Sequence, residues 1–215
     1  MYNFETTSYY VNKSEVFSDG KTENDPPTPE DPKILICSAC NKPFWKEEAV
    51  LSDQEIDDST TDLPEANSIY DLFPGFKEDH LQKHIQFYID LLEKDFANTE
   101  EKEIYIRIKI WHLLNDRIRY HTSAVFGSLF RDHKKQTDPD NTNNHFKNNL
   151  LRLTEIFKPD TYESQLLLAE MYREFEDYSK ALLVIHDLKN PVDSRAYNQI
   201  YNAIKRKNKD VFLIK

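Results

Sequence analysis

From about residue 76 the apolar side chains return at helical spacing, and that periodicity constrains the fold more than any single motif. Leu81, Ile85, Tyr88, Leu92 and Phe96 recur at steps of 4, 3, 4 and 4, which puts them on one face of a helix. Ile104, Ile108, Trp111, Leu114 and Ile118 repeat the pattern. The run IYIRIKI within the second group also alternates as a strand would. The longer window through Ile118 keeps the helical period without a turn signal, so it predicts helix. Asn98-x-x-Glu101 has the form of a capping box for that helix. A shorter helix is predicted over 123–133, a polar loop over QTDPDNTNN at 136–144, and helices near 145–157, 161–175, 178–189 and 193–206. With only 3 glycines in 215 residues, folds that need many tight turns or phosphate-cradling loops are disfavoured.

The first part of the chain reads differently. Residues 1–20 are rich in Tyr, Phe, Val and Thr and predict one or two short strands, with Ser18-Asp19-Gly20 as a turn. TENDPPTPEDP at 22–32 predicts an extended Pro-rich connector. KILIC at 33–37 reads as a strand, and Phe44 and Trp45 follow as packing residues. Residues 52–68 are acidic, contain Pro64 and lack apolar periodicity. VFLI at 211–214 reads as a short strand able to pair with the first ones. The division expected is a β and Cys-x-x-Cys element over 1–51, an acidic linker over 52–75 and a helical domain over 76–215. The fold class is α+β, mainly α.

Charge and cysteine usage narrow the function classes. The formal net charge is −10, and it is uneven: residues 1–103 carry a net −15 and residues 104–215 a net +5. An acidic front half argues against general nucleic-acid binding. The clusters RDHKK at 131–135 and KRKNK at 205–209 are short and suit helix ends, where cations complement the dipole. No apolar run is long enough to span a membrane, and the first 20 residues lack the pattern of a signal peptide. With only 2 cysteines there is no disulfide framework, and the compartment expected is the cytoplasm.

Cys37-Ser38-Ala39-Cys40 is the strongest chemical signal. Two thiolates at this spacing can bind one tetrahedral Zn²⁺ from a tight turn, but two further ligands are needed. His80 and His84, four apart on a predicted helix, point the same way and are candidates. The gap between the pairs is far longer than in usual zinc fingers. The competing reading keeps a knuckle-shaped turn with two thiols and no metal, His80 and His84 lying on a solvated helix flank. A redox dithiol would need the pair at a helix N-terminus, and the chain around it reads as extended.

Asn115, Asp116, Arg119 and His121 form a polar cluster on the Trp111 helix. Asp116 and Arg119 are spaced to pair on one face. Asp116 and His121 are the groups an acid–base enzyme would use here. The plainer reading is a helix end with an ion pair. No Ser/His/Asp order, Gly-rich phosphate loop or acidic metal cluster supports a particular reaction.

The segment YESQLLLAEMYREFEDYSKALLVIHDLKNP resembles a tetratricopeptide repeat. Leu168, Ala169, Tyr172 and Ala181 sit at that motif's spacing, where small alanines let two helices approach. It departs from the motif at Gln165, Leu188 and Pro191, and no second copy follows. Over most of its length the chain also resembles an uncharacterised bacterial protein family. That family joins a Cys-x-x-Cys segment and an aromatic pair, here CSACNKPFW, to a helix like WHLLNDRIR and a repeat-like hairpin, LLLAEMYREFEDYSKAL. The resemblance implies an architecture and no activity. The function expected is a protein-interaction or scaffold module with another protein as partner, without a cofactor unless the knuckle holds zinc. The alternative is an enzyme with a cleft on the Trp111 helix.

Overall fold

The computed structural model describes residues 10–28, 32–49, 74–122, 140–188 and 194–215. The chain is α+β and mainly helical, with two small antiparallel sheets of two strands each. The strands are β1 (Lys13–Val16), β2 (Thr22–Asp25), β3 (Ile34–Ile36) and β4 (Pro43–Trp45). Among the described residues six α-helices follow: α1 (Pro74–Glu93), α2 (Glu100–Thr122), α3 (Asp140–Ile156), α4 (Tyr162–Glu174), α5 (Tyr178–His186) and α6 (Arg195–Lys205).

The apolar period builds the helical part. Leu81, Ile85 and Leu91 of α1 and Ile106, Ile110 and Leu114 of α2 fuse into one buried cluster. Trp111, Leu150, Leu153 and Met171 join α2, α3 and α4 in a second. The third holds α4, α5 and α6 together through Leu166, Ala169, Ala181, Ile185, Ile200 and Ile204. Ala169 and Ala181 are wholly buried at the α4–α5 contact, as their small size allows. Leu168 and Leu182, beside them, are only half-buried.

Capping sets the boundaries. The oxygen on α2's first turn comes from Thr99, whose Oγ1 accepts the Lys102 amide at 3.3 Å; Asn98 is one residue too early for the role expected of it. Thr161 and Ser164 form a reciprocal capping box on α4, and Asp177 and Ser194 cap α5 and α6. Helix α3 begins at Asp140, inside the stretch expected to be a loop, because Asp, Asn and Thr suit a helix's first turn as well as a loop. The expected linker over 52–75 lies mostly outside the described residues, as do the expected 123–133 helix and Pro191.

The expected connector over 22–32 is also corrected: Thr22–Asp25 is a strand, paired with β1 in the register Lys13↔Asp25 to Val16↔Thr22. A two-stranded ribbon buries little, so its polar composition is no bar. Pro26, which has no N–H to donate, follows its last residue. Gly20 closes the turn with φ +79°. The 211–214 segment does return to the first strands. Phe17 bridges Leu213, and the amides of Ser18 and Ile214 donate to the Phe212 and Val16 carbonyls, each at 2.9 Å.

Candidate functional site

Helix α2 presents its polar residues inward, toward the β1–β2 turn. Asp19, at the tip of that turn, is wholly buried. Its Oδ2 accepts Asn115 Nδ2 at 2.9 Å and the Arg119 guanidinium, and its Oδ1 accepts the Lys21 amide at 3.2 Å. Its carbonyl contacts His112 Nε2 at 3.0 Å. Asp116 pairs with Arg119, as the sequence spacing predicts, and with Lys21 Nζ at 2.6 Å. Asp116 and Arg119 are 5% and 6% exposed. The Arg119 guanidinium also lies 4.7 Å over the Phe17 ring. Its pKa stays raised although burial works against the charge, because Asp19 and Asp116 flank it. Burial lowers the pKa of His112. The side chain of His121 lies outside the described residues.

The cluster continues into α4. Glu174, also buried, accepts Trp111 Nε1 at 2.6 Å and Asn115 Nδ2 at 3.0 Å. Burial, then the nearby Glu170 carboxylate, push Glu174 well above the usual carboxylate range. Glu170 engages Arg173 through both oxygens. Arg173 donates in turn to the Asn208 and Asp210 carbonyls and lies 5.2 Å from the Phe212 ring centre. Arg119 and Arg173 thus sit under Phe17 and Phe212, on the two segments that pair with each other. Chemically this is a clamp: each buried cation holds one edge segment against the helices, and its charge is spent on internal carboxylates.

Asp19, Lys21, Glu170, Arg173 and Glu174 were not singled out by the sequence. Asp19 counted only as a turn residue. Glu170 and Arg173 do carry a signal, because with Leu166 and Ala169 they fall on the helix's apolar face, where charges need partners.

The two cysteines occupy the turn between β3 and β4. The Cys37 amide donates to the Lys42 carbonyl at 2.9 Å, and the Asn41 amide to the Cys37 carbonyl at 2.8 Å. Asn41 takes a left-handed φ of 54°, which Asn tolerates. Cys37 and Cys40 approach to 3.5 Å. The amides of Cys40 and Ala39, and the Cys40 thiol, hold Cys37 below the ordinary thiol range. His80 and His84 form a separate pair on α1, with ring centres 4.1 Å apart. Burial and the neighbouring His80 lower the pKa of His84. The two pairs do not converge: among the described residues no three His, Cys, Asp or Glu side chains stand where they could share a metal ion.

A small cavity of about 260 Å³ adjoins the Arg173 end of the buried polar cluster, lined by Gln199, Asn202, Ala203, Arg206, Asn208 and Phe212. Among the described residues no helix is long and apolar enough to cross a membrane. Compared with protein-family models, curated proteins and solved structures, the chain matches none.

Proposed function

We propose that the protein is an interaction or scaffold module that binds another protein through its α4–α6 face. The observation that carries this reading is the contrast between its two polar regions. Of the groups an enzyme would use on α2, Asp116, Arg119 and His121, the first two are buried and committed to Asp19 and Lys21. The α4–α6 layer instead leaves Leu183 63% exposed and carries Tyr172, Tyr178, Tyr197 and Tyr201 half-exposed. Leu183 precedes His186 by about one helical turn, and the His186 ring meets Tyr201 edge-on at 6.4 Å. Tyrosine is among the residues that protein interfaces favour. The likeness of the α4–α5 hairpin to a tetratricopeptide repeat supports the same role.

The test is crosslinking of the full chain in cells, beside Leu183→Asp and Tyr201→Ala. A discrete protein adduct, lost in both variants with helical circular dichroism unchanged, is the result expected. The enzyme reading would be favoured by a turnover activity that Asp116→Asn abolishes without loss of stability.

A further inference from the structure

The β3–β4 hairpin carries a pair of thiols at its tip, Cys40 exposed and Cys37 half-buried. Its base is fixed in the core. Ile34 and Trp45 face each other in the ladder and are buried among α1 and α2 residues. Trp45 stacks on Phe96 with ring centres 5.3 Å apart and donates Nε1 to the Phe96 carbonyl at 3.2 Å. Lys102 lies 5.0 Å over the same ring and pairs with Glu47 and Glu48 just beyond it. The tip is the opposite: every residue from Ser38 to Lys42 is exposed, and Ile36 beside it is 50% exposed. Cysteine packed for its apolar bulk is usually buried, whereas here it is held out in solvent.

The geometry at the tip suits a metal ion. Two sulfurs bound at about 2.3 Å to one tetrahedral Zn²⁺ stand about 3.8 Å apart, close to the approach of Cys37 and Cys40 in this turn. The turn is closed by the Cys37 amide on the Lys42 carbonyl and the Asn41 amide on the Cys37 carbonyl, which sets the spacing of the two cysteines. The knuckle therefore supplies two of the four donors a closed zinc site takes. Among the described residues no third donor stands beside them.

We propose that Cys37 and Cys40 are one half of a tetrathiolate zinc site, completed by the same knuckle of a second copy of this chain. Charge favours this occupant. Four thiolates around Zn²⁺ leave two negative charges, and residues 33–46 carry Lys33, Lys42 and Lys46 without an acidic residue. In a chain of net charge −10 this stretch is locally basic, so each copy brings cations beside the thiolates that offset that charge. Binding releases the protons of the four thiols to solvent and involves no redox step. The inference is independent of the α4–α6 reading, since the hairpin packs on α1 and α2.

The experiment uses the full chain purified in a reductant and titrated with Zn²⁺ alone, with mass and metal content measured together. The expected result is one ion per two chains, a doubled mass that chelation reverses, and loss of both in Cys37→Ser and Cys40→Ser. Those variants should keep their helical circular dichroism, because Trp45 anchors the hairpin and the thiols do not. Leu183→Asp should leave the zinc dimer intact, which separates this test from that of the α4–α6 face. One ion per chain at monomer mass, no retained zinc, or a dimer that survives chelation would each overturn the proposal.

Discussion

At the scale of single residues, Gly20 and Glu174 bear the sharpest consequences. Gly20 holds φ +79°, and a Cβ there would meet Leu167 Cδ1 at 3.2 Å. Gly20→Ala should therefore cost about 1–2 kcal/mol through the left-handed backbone alone, read by urea unfolding. Glu174 is a pH-sensitive member of the clamp. It faces Glu170 and Arg173 on its own helix, Trp111 and Asn115 on α2, and Asp19 on the β1–β2 turn. Its folded pKa is raised, so above about pH 4.5 the unfolded chain releases a proton that the folded chain retains. Stability from this group is then full below that pH and falls as pH rises through the folded value. Glu174→Gln should flatten the decline that begins above about pH 4.5 in melts compared with the parent. His112, with its lowered pKa, gives the opposite slope in part of that window, but equally in both proteins. The sequence made the Asp116–Arg119 pair legible because three residues on a helix is a local rule. It did not make Asp19 or Glu174 legible as partners of Asn115, since they lie 96 and 59 residues away.

At the scale of elements, the helices were readable because each buries one apolar stripe, and the strands less so. Helix α2 carries most of the argument. Trp111 is fully buried between α3 and α4 and also donates to Glu174. Trp111→Ala should cost about 3–5 kcal/mol from the cavity. Trp111→Phe keeps most of the volume but removes the N–H, leaving a buried carboxyl oxygen with one donor fewer. Its cost, about 1–3 kcal/mol, isolates the hydrogen bond. Equal stability of Trp111→Phe and the parent in denaturant melts would show that the bond contributes nothing. Strand β2 escaped the sequence reading because both its faces are largely exposed, so neither alternation nor apolar content marks it. Strand β3 was visible through KILIC, whereas Phe44-Trp45 read as packing residues and not as the strand that pairs with it.

At the scale of the molecule, the helical array and the paired segments at 16–18 and 212–214 are joined through buried polar groups as well as through Phe212, which packs on the α4–α6 cluster. The pairing of 211–214 with the first strands follows from its apolar run, but the means of attachment does not. Apolar packing gives no reason to expect two arginines beneath Phe17 and Phe212, each neutralised by buried acids. Losing one such cation leaves its carboxylates uncompensated in the interior, at a cost of about 3–5 kcal/mol. Arg119, paired with Asp19 and Asp116, clamps the β1–β2 turn, and with it the 16–18 and 212–214 pairing, onto α2. The most direct measurement is amide hydrogen exchange in Arg119→Met beside the parent. The amides of Ser18 and Ile214, which bond to Phe212 and Val16, should lose protection at least about tenfold while α4 and α5 keep theirs. Unchanged protection at Ser18 and Ile214 in that variant would contradict the claim.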